Sequence, residues 1–551
     1  MSLIAGIDVG NATTEVVIAD ASVTQPRPIA WDRSPTRGIK GSEQALRGAL
    51  SVLDRIERSA GVVCDVVVVA PQRPVLTRQV AVAEPDPDLG RISLVVAGRP
   101  TPGGFGVAVG RPVATTDSPL STDEPLVLVA RDPLGFRDTV AAVAAWRAAG
   151  ASVVAVLLAG DEAVLVSSRL DDTIPVVDGI DAERALQAEL IAVEVAQPGR
   201  TVQRLSDPVA LAHLLQLRPD EHDHAESAAA AVRGARDATI ARGGVSTPPP
   251  RADVQECLLT LSDGRRLSLL DALPAIANGA RATSLDQQGS ISVDDVWGVD
   301  LAHVMEESLL RAASDSARTV LLAALVDGEG EIADPAAAIA QWSGRTCRSM
   351  QSEAAAGRAG ALTTPSAHPN AMVVDIGAGT IDLIDSDNNA RLLAGAGHLL
   401  TESVATVLGI GRGQAEWVKR GPCSRIESPQ LALDEDGIRR YLDSPAAAGL
   451  VGWLTVPGPA GHLPFETALA PSEWRGLRLR VKSAVIGANL ARAGGDAPHE
   501  VILVGGPAGD DELLGVVARA LRGTVPGRGD VAGMLGHRYA VAYGLVVLAS
   551  A

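Results

Sequence analysis

Two stretches far apart in this chain repeat one pattern, and that repetition limits the available folds more than any bulk property does. Asp8-Val9-Gly10-Asn11-Ala12-Thr13-Thr14 lies between two apolar runs, and so does Asp375-Ile376-Gly377-Ala378-Gly379-Thr380. An apolar run, a glycine turn and a returning apolar run predict a β-hairpin. Glycine enters tight bends at little steric cost and lets the backbone approach a ligand, so such bends suit phosphate. Asn11, Thr13, Thr14 and Thr380 add side-chain donors, while Ala12 and Gly377 offer backbone N–H groups. Two matching hairpins predict two related half-domains facing one nucleotide. Asp8 and Asp375 would then sit opposite each other, able to hold Mg²⁺ through water or to orient an attacking water. Phosphoryl transfer chiefly needs such positioning and charge neutralisation.

A third element supports this. Gly505-Gly506-Pro507 follows the apolar run Glu500–Val504 and precedes a helical pattern over Asp511–Leu521, giving close backbone approach to a base or ribose. No Walker A sequence is present.

Composition narrows the class. A chain of 551 residues exceeds one core and predicts several domains. The net charge of −18 disfavours non-specific nucleic-acid binding. Cys64, Cys257, Cys347 and Cys423 are widely spaced, so they read as buried thiols in a reducing compartment rather than a zinc or cluster set. The N-terminus lacks the features of a signal peptide, and no apolar run is long enough to span a bilayer. The expectation is a cytoplasmic protein with no membrane or nucleic-acid partner.

Along the chain, Ile4–Val9, Thr14–Ala19 and Val66–Ala70 predict strands and 41–61 a helix. Leu126–Ala130, Val153–Leu158, Ala163–Val166 and Ile174–Asp178 predict strands around a helix over Phe136–Ala149, forming an inserted α/β domain. Glu221-His222-Asp223-His224 reads as a solvated acidic loop rather than a metal tract. Gly243-Gly244 and Pro248-Pro249-Pro250 predict a linker. Cys257–Leu261 and Arg266–Leu270 predict a hairpin about Asp263-Gly264, and Val304–Leu325 has a helical pattern. Thr401–Leu408, Leu477–Arg492 and His537–Ser550 also predict helices.

The hairpins and the Gly-Gly-Pro turn are similar to the phosphate-1, phosphate-2 and adenosine motifs of actin, sugar-kinase and heat-shock-chaperone ATPases. Glu416-x-x-Lys419-Arg420 resembles the helix that packs on adenosine in the chaperone branch. A narrower resemblance is to the large subunit of diol or glycerol dehydratase reactivases. It rests on GIDVGNATTEV, Gly38-Ile39-Lys40-Gly41, TPGG from Thr101, VLVSSRL at 164–170, IPVVD ending at Asp178, IAVEVAQPG at 191–199, Gly360–Pro365, DIGAGTID, LAGAG at 393–397, LVGGP and Gly527-Arg528-Gly529. The TPGG, VLVSSRL and IAVEVAQPG blocks are foreign to actin-like ATPases in general and are the specific part.

The resemblance implies an α/β fold: an actin-like (ribonuclease H-like) ATPase domain split into residues 1–85 and 366–551, a swivelling domain over 86–205, and a linker and insert region over 206–365. It implies ATP hydrolysis to ADP, coupled to the release of damaged cobalamin from a coenzyme-B12-dependent dehydratase. It also implies a small (β) subunit and an α2β2 heterotetramer, in the cytoplasm or with a bacterial microcompartment. Residue by residue, nucleotide contacts fall on Asn11, Ala12, Thr13, Glu416, Trp417, Val418, Lys419, Gly506, Pro507 and Arg538. Ligands to Mg²⁺ or Ca²⁺ fall on Thr101, Asp161 and Asp178, completed by a small-subunit carboxylate. Where the family usually has a hydroxyl, Ala12 offers only its N–H. A small-molecule kinase, such as a sugar or polyol kinase, is the alternative, but no substrate base or sugar loop is identifiable. An iron–sulfur activator would need clustered cysteines. A filament-forming relative would use nucleotide only as a switch.

Overall fold

The computed structural model describes residues 2–71, 75–83, 90–95, 102–131, 134–170, 173–197, 200–232, 235–243, 257–286, 289–305, 317–326, 332, 334–350, 352–467, 469–493 and 500–550. One strand plan is built twice. In the first sheet the order is Arg27–Pro35, Thr13–Asp20, Leu3–Val9, Val66–Val69, Thr346–Ser349. The first three strands are antiparallel neighbours, and the last two continue parallel to Leu3–Val9. In the second sheet the order is Ala390–Ala394, Thr380–Ile384, Met372–Ile376, Glu500–Val504, Val525–Arg528, with the same directions. The repetition in sequence is thus a repetition in topology.

Local chemistry explains the flanking helices. Glu43–Ala60 starts where the Ser42 hydroxyl accepts from Ala45 N–H, and ends at Gly61, whose φ of +67° lets its N–H reach Glu57 O. Its apolar stripe (Ala45, Leu46, Ala49, Val52, Leu53, Ile56) packs on the first sheet. Ala540–Ser550 is apolar nearly all round and is correspondingly buried. It crosses the helix Glu353–Ala361 backbone against backbone. A Cβ on Gly360 would overlap Ala540 O, and one on Gly544 would overlap Ala356 O. Where the same helix lies on Leu3–Val9, a Cβ on Gly6 would overlap Ala542 O. The two halves meet at this crossing.

Three further sheets surround this frame. A seven-stranded sheet runs Val176–Val177, Ala151–Leu158, Thr122–Ala130, Gly106–Ala114, Leu190–Val195, Asp237–Arg242, Ile92–Leu94. It continues past residue 205, because Asp237–Arg242 pairs along the whole of Leu190–Val195 and the helices Pro208–Leu214 and His222–Ala231 cover it. A six-stranded sheet, from Arg266–Ser268 through Leu258–Leu261, Ala282–Asp286, Ser290–Asp300 and Ala317–Val326 to Val75–Ala83, shares one core with the second half. Residues 206–365 are therefore not one unit. Pro335–Ser343, Thr346–Ser349 and Glu353–Ala361 complete the ATPase-like halves instead. A small sheet over Ser424–Glu466 was not foreseen.

Three expectations are corrected. Ala163–Ser167 is a short helix, not a strand; Ala163 N–H at its start donates to Asp178 Oδ2 at 3.1 Å. A short apolar run does not distinguish the two forms. The pattern over Val304–Leu325 resolves into a helix Leu301–Met305 and a strand Ala317–Val326 buried between two neighbours. The acidic Glu221–His224 stretch begins a helix, with Glu221 Oε2 accepting from Arg218 N–H at 2.9 Å. Gly244 and Pro248–Pro250 lie outside the described residues. Among the described residues no helix is long and apolar enough to cross a membrane.

Candidate functional site

The two predicted turns close in the same way. Gly10 N–H donates to Thr13 O at 2.9 Å, and Gly377 N–H donates to Thr380 O at 2.9 Å. Past the turns, Asp8 stands opposite Glu15 and Asp375 opposite Asp382. The turns face one another: a Cβ on Gly379 would lie 2.8 Å from Asn11 Nδ2. Asn11 and Ala12 keep exposure. The hydroxyls do more local work than expected. Thr13 Oγ1 donates to Glu15 Oε1 at 2.6 Å, and Thr14 is buried with its hydroxyl 2.9 Å from Thr36 Oγ1. Thr36 Oγ1 also donates to Gly10 O at 2.8 Å, so Thr14 braces the turn.

Between the turns lies a charge cluster that the sequence reading did not assign. Lys40 is 7% exposed, and its Nζ donates to Glu353 Oε1 at 3.0 Å and Oε2 at 2.8 Å. Burial pulls the Lys40 pKa down, but Glu353 and Asp8 outweigh it and hold the lysine above its ordinary value. Burial, and then the Glu353 carboxylate, push Asp8 well above the usual carboxylate range. The same causes lift Asp375 to about 7. Asp382 is raised likewise. Lys40 stands among Asp8, Glu353, Asp375 and Asp382, and Glu15 is also faced by Arg538 and Arg33, so carboxylates still outnumber cations in a low-dielectric space. A divalent cation fits that donor set, since hard oxygen ligands suit Mg²⁺ and its charge would draw those protons off. Among the described residues, however, no three His, Cys, Asp or Glu side chains converge as a ready-made metal cage.

The residues expected on the base side lie on and beside one helix. The helix Arg412–Val418 carries Glu416, whose Oε2 accepts from Lys419 Nζ at 2.7 Å and from Thr401 Oγ1 at 2.8 Å. Lys419 is buried, and burial lowers its pKa despite the Glu416 charge. Trp417 is 40% exposed with the Arg420 guanidinium 5.9 Å from its ring centre. Val418 is fully buried in the core, so its side chain is withdrawn from any ligand. Facing this helix, Gly505 has a φ of +88° and leads into a turn over Gly506–Gly509. A Cβ on Gly505 would overlap Asp375 Oδ1, and one on Gly397 would lie 3.2 Å from Pro507 Cγ and from Gly377 O. The Gly-Gly-Pro turn thus presses on the second hairpin. Arg538 Nη1 lies 3.0 Å from where a Gly506 Cβ would be, with Arg33, Glu15 and Arg420 among its charged neighbours.

In the seven-stranded sheet the predicted metal set is only partly visible, because Thr101 lies outside the described residues. Its neighbour Gly103 forms a two-way backbone bridge with Val176, N–H to O at 2.8 and 2.9 Å. Gly103 also abuts the helix Ala163–Ser167. Gly103, that helix and buried Asp178 therefore adjoin, while Asp161 is exposed just before the helix. Asp237, unassigned from sequence, is pushed to about 7 by burial and by the neighbouring Asp178 charge.

Comparison with known proteins sets these features in context. Residues 273–549 match the family described as diol dehydratase reactivase ATPase-like domain, and residues 93–248 match the swiveling domain of DD-reactivating factor. The diol dehydratase-reactivating factor large subunit of Klebsiella michiganensis is 30% identical over 99% of this chain and 98% of its own length. The propanediol dehydratase-reactivating factor large subunit of Salmonella typhimurium shows the same identity and coverage. Among solved structures, a diol dehydratase-reactivating factor in nucleotide-free form aligns with a TM-score of 0.68 at 25% identity, covering 100% of both chains. A glycerol dehydratase reactivase gives the same TM-score and identity over 99% of each chain.

Proposed function

We propose a function for this chain on one premise: it belongs to the diol dehydratase reactivase family. As the large subunit of such a factor, it binds ATP between the two Asp-x-Gly hairpins and hydrolyses it to ADP. The ADP state docks on a coenzyme-B12-dependent diol or glycerol dehydratase, damaged cobalamin leaves, and intact coenzyme enters. It works with a small subunit in an α2β2 assembly in the cytoplasm. The observation that carries this reading is the end-to-end match to reactivating-factor large subunits, hairpins included. No feature of the site favours transfer to a sugar or polyol.

The chain's own residues suit the hydrolytic step. Backbone N–H groups of the two turns, with Asn11, hold the β- and γ-phosphates. Mg²⁺, when bound with the nucleotide, would neutralise phosphate charge, and Asp8 and Asp375 would be the carboxylates that hold it. Asp375 orients the attacking water and takes its proton. The water oxygen bonds to the γ-phosphorus as the bond to the β–γ bridging oxygen breaks, leaving ADP and phosphate. Lys40, anchored by Glu353, keeps a positive charge beside Asp8. Glu416, Lys419, Gly506, Pro507 and Arg538 enclose the adenosine. In the swivelling domain, Thr101, Asp161 and Asp178 would be the residues that hold Mg²⁺ or Ca²⁺, and a small-subunit carboxylate on the same ion would clamp the subunits together.

The decisive experiment mixes the chain and its small subunit with cyanocobalamin-blocked dehydratase, ATP, Mg²⁺ and adenosylcobalamin. Dehydratase activity should return only when ATP is present. No recovery, together with phosphorylation of a polyol, would refute the reading.

A further inference from the structure

Behind the adenosine walls lies a buried ionic network that the hydrolytic mechanism does not use. Arg478 and Lys482 sit one turn apart on the helix Pro471–Lys482, and neither side chain has any exposed surface. Arg478 grips Glu435 with two bonds, Nη1 to Oε1 at 2.8 Å and Nη2 to Oε2 at 3.0 Å. It grips Glu512 with two more, Nε to Oε2 at 2.9 Å and Nη2 to Oε1 at 2.5 Å. Lys482 Nζ reaches Asp510 Oδ2 at 2.5 Å and Glu512 Oε2 at 2.6 Å.

Asp510 and Glu512 belong to a segment that leads to the candidate nucleoside site, and Glu435, at the end of a strand of the small sheet, is bonded to another such segment. Asp510 N–H donates to Pro507 O at 2.9 Å, and its side chain accepts from Glu512 N–H at 3.1 Å to cap the helix Asp511–Ala520. Glu435 Oε1 accepts from Cys423 N–H at 2.6 Å, just past the segment bearing Glu416, Lys419 and Arg420. The Arg478 guanidinium itself fills the space beside Gly421, where any Cβ would overlap it. The network therefore joins the end of one wall, residues 421–423, to the base of the other, 507–512. Among the described residues neither cation bonds to a residue of the phosphate turns. Buried ions are a poor source of net stability, because desolvation offsets their attraction. What doubly gripped guanidinium and caged ammonium groups supply is fixed direction and spacing.

We propose that Arg478 and Lys482 are positioning residues that set the separation of the two adenosine walls, so that they govern the base half of nucleotide binding and leave the phosphate half untouched. This rests on the nucleotide site proposed above. The test is calorimetric titration of the full chain, in complex with its small subunit, with Mg-ATP and with Mg-tripolyphosphate, which lacks the nucleoside. In Lys482→Met, ATP affinity should fall about tenfold while tripolyphosphate affinity stays within about twofold. An equal loss for both ligands, or a loss for neither, overturns the proposal. If the wild type itself binds ATP no better than tripolyphosphate, the adenosine assignment fails instead. A measurement that needs no variant accompanies it: amide exchange of the wild type. ATP, but not tripolyphosphate, should slow exchange in 421–423 and 507–512 together. Protection of only one of these segments also overturns the proposal.

Discussion

The two phosphate turns share a backbone and differ in how they are held. The first, Gly10 to Thr13, is braced by side chains: Thr36 bonds Gly10 O, and Thr13 and Thr14 engage Glu15 and Thr36. The second, Gly377 to Thr380, is moulded by backbone. Gly379 O accepts from Gly395 N–H at 2.9 Å, Gly377 O from Gly397 N–H at 3.2 Å, and Ala378 O from His398 N–H at 2.7 Å. The turns also share features, since Thr36 N–H donates to Ala12 O at 2.9 Å and Thr380 bonds the Asp382 carboxylate, so what sets the first apart is its Thr14–Thr36 hydroxyl brace. Substitutions should accordingly hurt the two turns by different routes.

The largest effect tests whether the turns are chemically equal. Asp375→Asn should lower the rate of phosphate release about 10³-fold, with far-ultraviolet circular dichroism unchanged. Asp8→Asn should cost less, because in the mechanism proposed here Asp375, not Asp8, receives the proton. Equal losses would make the turns interchangeable.

Next comes the glycine packing around the second turn. Gly505→Ala combines a left-handed backbone with overlap on Asp375, and should destabilise by about 2–3 kcal/mol in denaturant titration. Gly377→Ala has a negative-φ backbone and 3.3 Å to its nearest neighbour, and should cost within about 1 kcal/mol.

A pH series separates the turns further. Folding raises the Asp375 pKa to about 7, so its contribution to stability is present below the ordinary carboxylate value of 3.8 and is lost as pH rises through about 7. The melting temperature of the nucleotide-free wild type should therefore fall, relative to Asp375→Asn, between pH 4 and 7. A constant difference across that window would remove Asp375 from the buried cluster.

The smallest effect probes the side-chain brace. Thr36→Val should cost about 1 kcal/mol and weaken nucleotide binding slightly, since it deletes hydrogen bonds of the first turn only. Calorimetry showing an effect as large as that of Gly505→Ala would erase the distinction between the turns.

What was legible in the sequence follows from range. Both hairpins were, because Asp, Gly and Thr recur at fixed spacing within a few residues. Glu15 and Asp382 hold matching positions opposite Asp8 and Asp375, and strand alternation could have found them. Lys40 and Glu353 were not assigned because their partnership spans 313 positions and exists only after both halves assemble. The strand Ala317–Val326 was misread because a fully buried run of Val, Leu and Ala has no polar alternation to mark it. Arg478 and Lys482 fall within the predicted helix Leu477–Arg492 and carried no role there; nothing local signals their pairing with Glu435 and Glu512.

The crossing of Glu353–Ala361 over Ala540–Ser550 has a mechanical consequence. The two helices touch main chain to main chain at Gly360 and Gly544, and Ala356, Ala361, Val541 and Tyr543 are buried around that contact. Glu353 begins one of these helices and holds Lys40, while buried Arg358 on the same helix donates to Ala371 O and Pro369 O, at the root of the strand that carries Asp375. The crossing is thus tied to the acidic cluster, and a methyl group at Gly360 or Gly544 would force the two helices apart.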